Sequence, residues 1–214
     1  NKLTSKFLEL DYGRMHYVEV GEGDPLLFIH GSGPGVSGLA NFENNLSAFS
    51  NNFRCIVIDL PGYGKSDPVE GDPIGASVNS IISFLDKINI TSTHIIGNSL
   101  GGMLGALIAA YNKDRVKSFV TIGGLGMNVF SPFPGEGIIL LSAFVEDPSK
   151  ARIKQWLESM VFNKDLVTDE LIESRYKQAI DPVQLETSKK IYAKSSLEAM
   201  AENFRGPEAS NRIA

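Results

Sequence analysis

Residues 94–102 read HIIGNSLGG, a short apolar run that meets Gly97-Asn98-Ser99-Leu100-Gly101 and continues as LGGMLGALIAAY. The run predicts a buried strand and the continuation an apolar helix. A serine between two glycines at such a strand-to-helix turn is the setting of a nucleophile. The chain must reverse sharply there, and side chains at positions 97 and 101 would collide. The serine backbone is strained, so that its hydroxyl stands out of the sheet. Gly102 and Gly105 then let the helix approach closely, and its N-terminus carries the positive end of the helix dipole. The other reading of the same letters is a tight turn in which the spacing arises by coincidence.

Outward from this turn the chain alternates between strand and helix patterns. FLELDYG and RMHYVEV pair as a hairpin across Asp11-Tyr12-Gly13. PLLFI is a buried strand entering His30-Gly31-Ser32-Gly33-Pro34-Gly35, and residues 38–49 suit a helix. CIVID is a second buried strand, and residues 75–88 carry Val78, Ile81, Ile82 and Leu85 at helical spacing. HIIGN, a helix over 100–112 and the strand VKSFVTIGG complete the series. Continuous apolar strands separated by helices predict an α/β fold, a mostly parallel sheet with helices on both faces.

From about residue 127 strand signals stop. Four helical patterns follow, broken at Asp147-Pro148, at Asn163 to Thr168 and at Asp181-Pro182. In the second, Ile153, Trp156, Leu157, Met160 and Val161 line one face, which makes Trp156 a packing residue. The expected organisation is a core over residues 1–126, a helical cap over 127–200 and a returning segment over 201–214. A cap of this kind lies over the strand ends, where α/β sheets place their ligands.

Bulk properties narrow the function. The 214 residues carry a net charge of −5 and a pI near 5.3, which leaves no basic footprint for nucleic acid. No apolar run approaches the roughly 18 residues of a membrane span, and the first residues lack the apolar core of a secretion signal. Cys55, the one cysteine, lies in a strand pattern and reads as a small core residue. The expectation is a cytoplasmic protein with neither a nucleic acid nor a membrane as partner.

Two other glycine loops imitate nucleotide sites. Gly33-Pro34-Gly35-Val36-Ser37-Gly38 matches G-x-G-x-x-G, and Asp59 ends the next strand. His30-Gly31-Ser32 intervenes between strand and motif, however, and Pro34 removes an amide that would face a pyrophosphate. Gly62-Tyr63-Gly64-Lys65-Ser66 ends like a phosphate loop, but Asp59 stands where its first glycine belongs and would repel a phosphate. The loop after PLLFI fits a different task. Backbone N–H groups of Leu100 and of Ser32 or Gly33 would form an oxyanion hole, in which one donor is worth ~2.7–4 kcal/mol of transition-state stabilisation.

With HGSGPG, DLPGYGKSD and GNSLGG in this order, the chain resembles the α/β-hydrolase fold. HGSGPGVSGLANF, GNSLGG and FNKDLVTDELIESRYKQAI resemble more narrowly the meta-cleavage product hydrolases, over nearly the whole chain to about residue 200. Those enzymes cut a carbon–carbon bond in 2-hydroxy-6-oxo-dienoates. The resemblance implies Ser99 as nucleophile and the Ser32 and Leu100 amides as oxyanion donors. It implies Asn41, Asn98 and Arg175 as residues that bind a small substrate bearing a carboxylate. No cofactor and no metal are expected, and the resemblance allows a homodimer. The residues leave alternatives beside these roles. Asn41 and Asn98 could cap backbone, and Arg175, which shares a helix face with Leu171, Ile172 and Ala179, could reach water or a glutamate. A carboxylesterase or thioesterase, or a silent ligand-binding relative, would use the same framework.

The sequence also departs from the family. The fold orders its triad as serine, acid, histidine, and no histidine follows His94. The three histidines, His16, His30 and His94, are expected to be structural, as is Asp59. The alternative acid position after the fourth buried strand reads Gly123-Gly124-Leu125-Gly126. The chain ends in GPEASNRIA where a further strand is expected, so acid and base are expected beyond these residues. VKSFVTIGG is then an apolar edge with only Lys117 to protect it. If Arg175 binds the acidic end of the substrate, Arg175→Ala lowers kcat/KM for a dienoate carboxylate and leaves a neutral aryl ester unaffected, as steady-state assays on both will measure.

Overall fold

Apolar and β-branched runs form the strands of one six-stranded sheet in the order β1-β2-β4-β3-β5-β6. They are β1 (Thr4–Leu10), β2 (Gly13–Val20), β3 (Asp24–Ile29), β4 (Phe53–Ile58), β5 (Thr93–Asn98) and β6 (Val116–Ile122). The computed structural model describes residues 3–123 and 134–205. The chain divides into two compact units, Asn1–Gly126 and Met127–Ala214. β1 and β2 are the predicted hairpin, with Leu10 opposite Gly13. β2 meets β4 antiparallel, and β4, β3, β5 and β6 run parallel to one another.

The helices of the first unit are α1 (Gly38–Phe49), α2 (Pro73–Lys87) and α3 (Leu100–Tyr111). Alternation along the strands assigns them to faces. Val18, Val20, Leu26, Phe28, Cys55 and Val57 form one buried cluster with Phe42 and Leu46 of α1. Neighbouring residues point the other way: Tyr17 packs its ring edge-on to Phe84 of α2, at 5.0 Å between centroids. α1 therefore covers one face, and α2 and α3 the other. α2 begins two residues before its predicted start. Pro73 suits a first helical turn, and the Asp72 carboxylate caps it by accepting the Ile74 and Gly75 amides. β6 is the edge strand, as expected, and its Val120 and Ile122 are each 54% exposed. Lys117 on this strand is paired with Asp24 at 2.5 Å.

The second unit is helical: α4 (Glu136–Glu146), α5 (Lys150–Met160), α6 (Asp169–Ala179), α7 (Pro182–Tyr192) and α8 (Lys194–Arg205). Ser149, Thr168 and Asp181 cap α5, α6 and α7 with their side-chain oxygens. The fourth predicted pattern is two helices rather than one. The chain breaks at Ala193, and the Glu146 carboxylate of α4 accepts the Lys194 amide at 3.2 Å. That cap comes from 48 residues away, which no local pattern announces. The 124–126 part of the Gly123–Gly126 loop, the boundary at 126/127 and the 206–214 part of the returning segment lie outside the described residues. Among the described residues no helix is long and apolar enough to cross a membrane.

Asp59 closes β4 and ties three segments together. Its carboxylate accepts the Gly38 amide at 2.7 Å and the Lys65 amide at 3.0 Å, and it accepts from His16 Nδ1 at 2.7 Å. Burial pushes this carboxyl up, but the bonds from His16 and the two amides more than offset that push and hold it below the usual carboxylate range. The stability it contributes is therefore complete above the unfolded carboxylate value, near about pH 4, and is lost as pH falls through the lower folded value. Asp59→Asn will lower the urea midpoint at neutral pH and flatten its decline between about pH 5 and pH 2, as denaturation curves across that range will show.

Candidate active site

Ser99 begins α3 with φ 50° and ψ −115°, one of two residues other than glycine at positive φ among those described. Such a conformation costs roughly 1–3 kcal/mol and persists only where the surroundings impose it. The surroundings are backbone. A Cβ at Gly97 would lie 2.3 Å from the Gly101 carbonyl oxygen, and a Cβ at Gly101 would lie 2.0 Å from that of Ile29. Glycine at both positions lets α3 press onto the ends of β5 and β3. The Ser99 amide donates to the Ile122 carbonyl at 2.9 Å, which pins the turn to the end of β6. Its carbonyl accepts from Met103 at 3.1 Å and opens the helix. The hydroxyl makes no capping bond to the helix it begins. Nothing in that helix therefore claims the Oγ.

The loop after β3 arrives at the same place. A Cβ on Gly31 would stand 3.2 Å from Ser99 Cβ, so the chain passes directly beside the serine before reaching Ser32 and Gly33. Ser32 is buried and Gly33 half-buried, and the Gly33 carbonyl accepts the Val36 amide at 3.1 Å to turn the loop. Leu100 is the first residue of α3, and its N–H is among those that no helical carbonyl can reach. The Ser32, Gly33 and Leu100 amides thus belong to the two segments that meet at Ser99.

Asn41 and Asn98 are brought together by the fold. Asn41 Oδ1 accepts the Gly31 amide at 3.1 Å and Asn98 Nδ2 at 2.9 Å. The Gly31 N–H can only donate, so it identifies the Asn41 atom facing it as oxygen. Of the roles open to Asn41, the backbone one is realised, and it uses up the amide that precedes those of Ser32 and Gly33. This bridge was not legible in the sequence, because its ends are 57 residues apart and asparagines in loops have no distinguishing spacing.

The histidines are committed elsewhere. His30 is fully buried. Its Nε2 accepts the Leu60 amide at 2.9 Å, so its proton sits on Nδ1 and points to the Gly31 carbonyl at 2.5 Å. This ring fastens the loop after β3 to the loop after β4, the structural part expected of it. His94 bonds Ser118 and Asp24 at the far end of β5. His16 bonds Ser5 and Asp59. Both nitrogens of each ring are thus engaged by groups other than Ser99. Arg175 lies in the second unit on α6, half-buried on the helix face that also carries buried Ile172 and Ala179. Burial lowers the pKa of its guanidinium. Among the described residues no cluster of histidine, cysteine and carboxylate side chains is arranged to hold a metal ion.

This architecture is that of a known class. The chain belongs to the α/β-hydrolase fold family, whose model matches residues 24–180. Within it, the similarity runs to hydrolases of meta-cleavage products. The 2-hydroxy-6-oxononadienedioate/2-hydroxy-6-oxononatrienedioate hydrolase of Burkholderia vietnamiensis is 37% identical over 173 residues, 78% of this chain and 60% of the relative. The 2-hydroxy-6-oxo-6-phenylhexa-2,4-dienoate hydrolase of Burkholderia cepacia is 34% identical, covering 81% of this chain and 64% of the relative. A meta-cleavage product hydrolase structure from Pseudomonas fluorescens superposes with TM-score 0.82 at 31% identity, over 91% of this chain and 71% of that one. This chain thus spans 60–64% of the length of these two sequence relatives.

The Asn41 bridge is directly testable. Asn41→Ala strands the Gly31 N–H without an acceptor, which costs ~1–3 kcal/mol where the group is buried. It will lower the denaturation midpoint and slow labelling of Ser99 by a fluorophosphonate, read by peptide mapping of the Ser99 adduct against time.

Proposed function

We propose that this chain serves a serine-nucleophile hydrolase that cleaves a carbon–carbon bond next to a ketone in a small acidic dienoate. The observation that carries the reading is Ser99, held at φ 50° at the start of α3 with the oxyanion loop against its Cβ. A residue so strained, with its hydroxyl left out of the helix cap, is arranged for chemistry at Oγ. The names of the relatives supply the substrate class: each acts on a 2-hydroxy-6-oxo compound with two or more double bonds.

In this reading the ketone carbonyl lies between Ser99 and the Leu100 and Ser32 amides, with Gly33 as the neighbouring donor. Those amides stabilise negative charge on the carbonyl oxygen as the carbon becomes tetrahedral. Collapse of that intermediate expels the dienoate fragment as a carbanion equivalent, after the 2-hydroxy enol has shifted to its keto form so that the charge is delocalised. Ser99 acts either by attacking the carbonyl or by orienting the water that does. Asn41 holds the loop and Asn98 through Oδ1, which leaves Asn41 Nδ2 as a donor for substrate. Arg175, a desolvated cation on the α6 face of Ile172 and Ala179, suits the substrate carboxylate. The cap assignment of residues 127–200 belongs to this proposal.

The test is an assay of dienoate consumption by loss of its visible absorbance, run beside simple aryl esters. A dienoate preferred over the esters, and lost with Ser99→Ala, supports the reading; esters preferred over the dienoate point to an esterase instead. A polypeptide of these 214 residues alone, with no histidine placed at Ser99, is expected to retain only the ~10³–10⁴-fold acceleration over water that oxyanion donors and binding supply.

A further inference from the structure

A second serine lies at the end of a hydrogen-bonded row that crosses the sheet. Ser5 on β1, His16 on β2 and Asp59 at the end of β4 stand on adjacent strands in that order. Phe7 is paired with His16 and Ser5 with Val18, so Ser5, Phe7, His16 and Val18 share one face. Asp59 joins the row because its amide donates to the His16 carbonyl at 2.9 Å, one step beyond the Tyr17–Ile58 pair. The distances are short and equal: Ser5 Oγ to His16 Nε2 is 2.7 Å, and His16 Nδ1 to Asp59 Oδ2 is 2.7 Å.

The protonation pattern follows from the partners. Asp59 is an ionised acceptor that already takes two backbone amides, so His16 Nδ1 carries its proton toward it. In the tautomer that carries its proton on Nδ1, Nε2 is the acceptor and the Ser5 hydroxyl donates to it. The imidazole cannot swing away. It is 4% exposed, its ring packs against Phe7 at 5.0 Å, and its backbone N–H donates to Ser66 Oγ at 2.9 Å. Ser5 itself is exposed, on the edge strand. Serine to imidazole to buried carboxylate is the connection that activates a hydroxyl toward electrophiles.

We infer that Ser5 is an activated serine at the surface, a modification site for acyl or phosphonyl donors, with His16 as its base and Asp59 as a positioning residue. Ser5 lies on an extended strand rather than at the start of a helix as Ser99 does, so the row supports a single covalent modification rather than turnover. With a fluorophosphonate, Ser5 Oγ forms a bond to phosphorus, the phosphorus–fluorine bond breaks, the hydroxyl proton passes to His16 Nε2 and fluoride leaves. This inference is independent of the role assigned to Ser99.

The experiment removes the first serine and looks for the second. Ser99→Ala protein is treated with a fluorophosphonate, and adducts are counted by intact mass and located by peptide mapping over time. One adduct is expected on Ser5, forming at least ~10²-fold faster than on Ser47, the acceleration a positioned base supplies. Ser47 is an exposed serine on α1. Ser5→Ala in the same background, an exposed substitution, removes the adduct. His16→Gln brings the Ser5 rate down to that of Ser47. A Ser99→Ala protein that gains no adduct on Ser5, or gains it no faster than on Ser47, overturns the proposal. An unchanged Ser5 rate in a folded His16→Gln protein overturns it as well.

Discussion

The first unit depends on one close approach of backbone to backbone, the start of α3 against the end of β3. Position 101 has no room for a side chain, because the Ile29 carbonyl oxygen occupies the place of its Cβ. Once the helix is pressed there, the turn that feeds it must be tight, and Ser99 takes the strained conformation that turn requires. The loop leaving β3 then has nowhere to run except beside that serine. The strained Ser99 and the loop beside it are thus two consequences of a single packing constraint. Its cost in backbone strain is offset by the apolar surface that α3 buries through Leu100, Leu104 and Ile108.

Around this point the fold distributes its polar groups so that each loop is held by a different side chain. Asn41 holds Gly31, His30 holds the segment at Leu60, and Asp59 holds Gly38 and Lys65. All three are wholly or partly buried, where a missing partner is expensive and a satisfied one makes the loop rigid. Rigidity is what an oxyanion hole needs, since its donors must already face the position of the developing charge. The histidines serve this framework rather than proton transfer at Ser99.

Three helices of the second unit begin on local signals. Each of Ser149, Thr168 and Asp181 begins its helix by a bond two or three residues long. The start of α8 relies instead on Glu146, a residue of α4. Arg175 shows the other use of a helix face, a half-buried cation carried beside Ile172 and Ala179.

Much of this was legible in the residues. The alternation of apolar runs with helical spacing marks every strand and the helices of the first unit, because burial of one side of each element leaves its period in the letters. GNSLGG announces the elbow for the same reason: only glycine fits where two backbones touch. The order of the strands, the division of helices between faces, the Asn41–Asn98 bridge and the row from Ser5 to Asp59 were not legible. They join residues that are distant in sequence, and a hydrogen bond between distant residues leaves no period, only two ordinary polar letters. Sequence alone determined where the chain must turn and which serine the turn exposes. Tertiary structure decided what stands beside that serine, because adjacency across a sheet depends on strand order, to which the local pattern is blind.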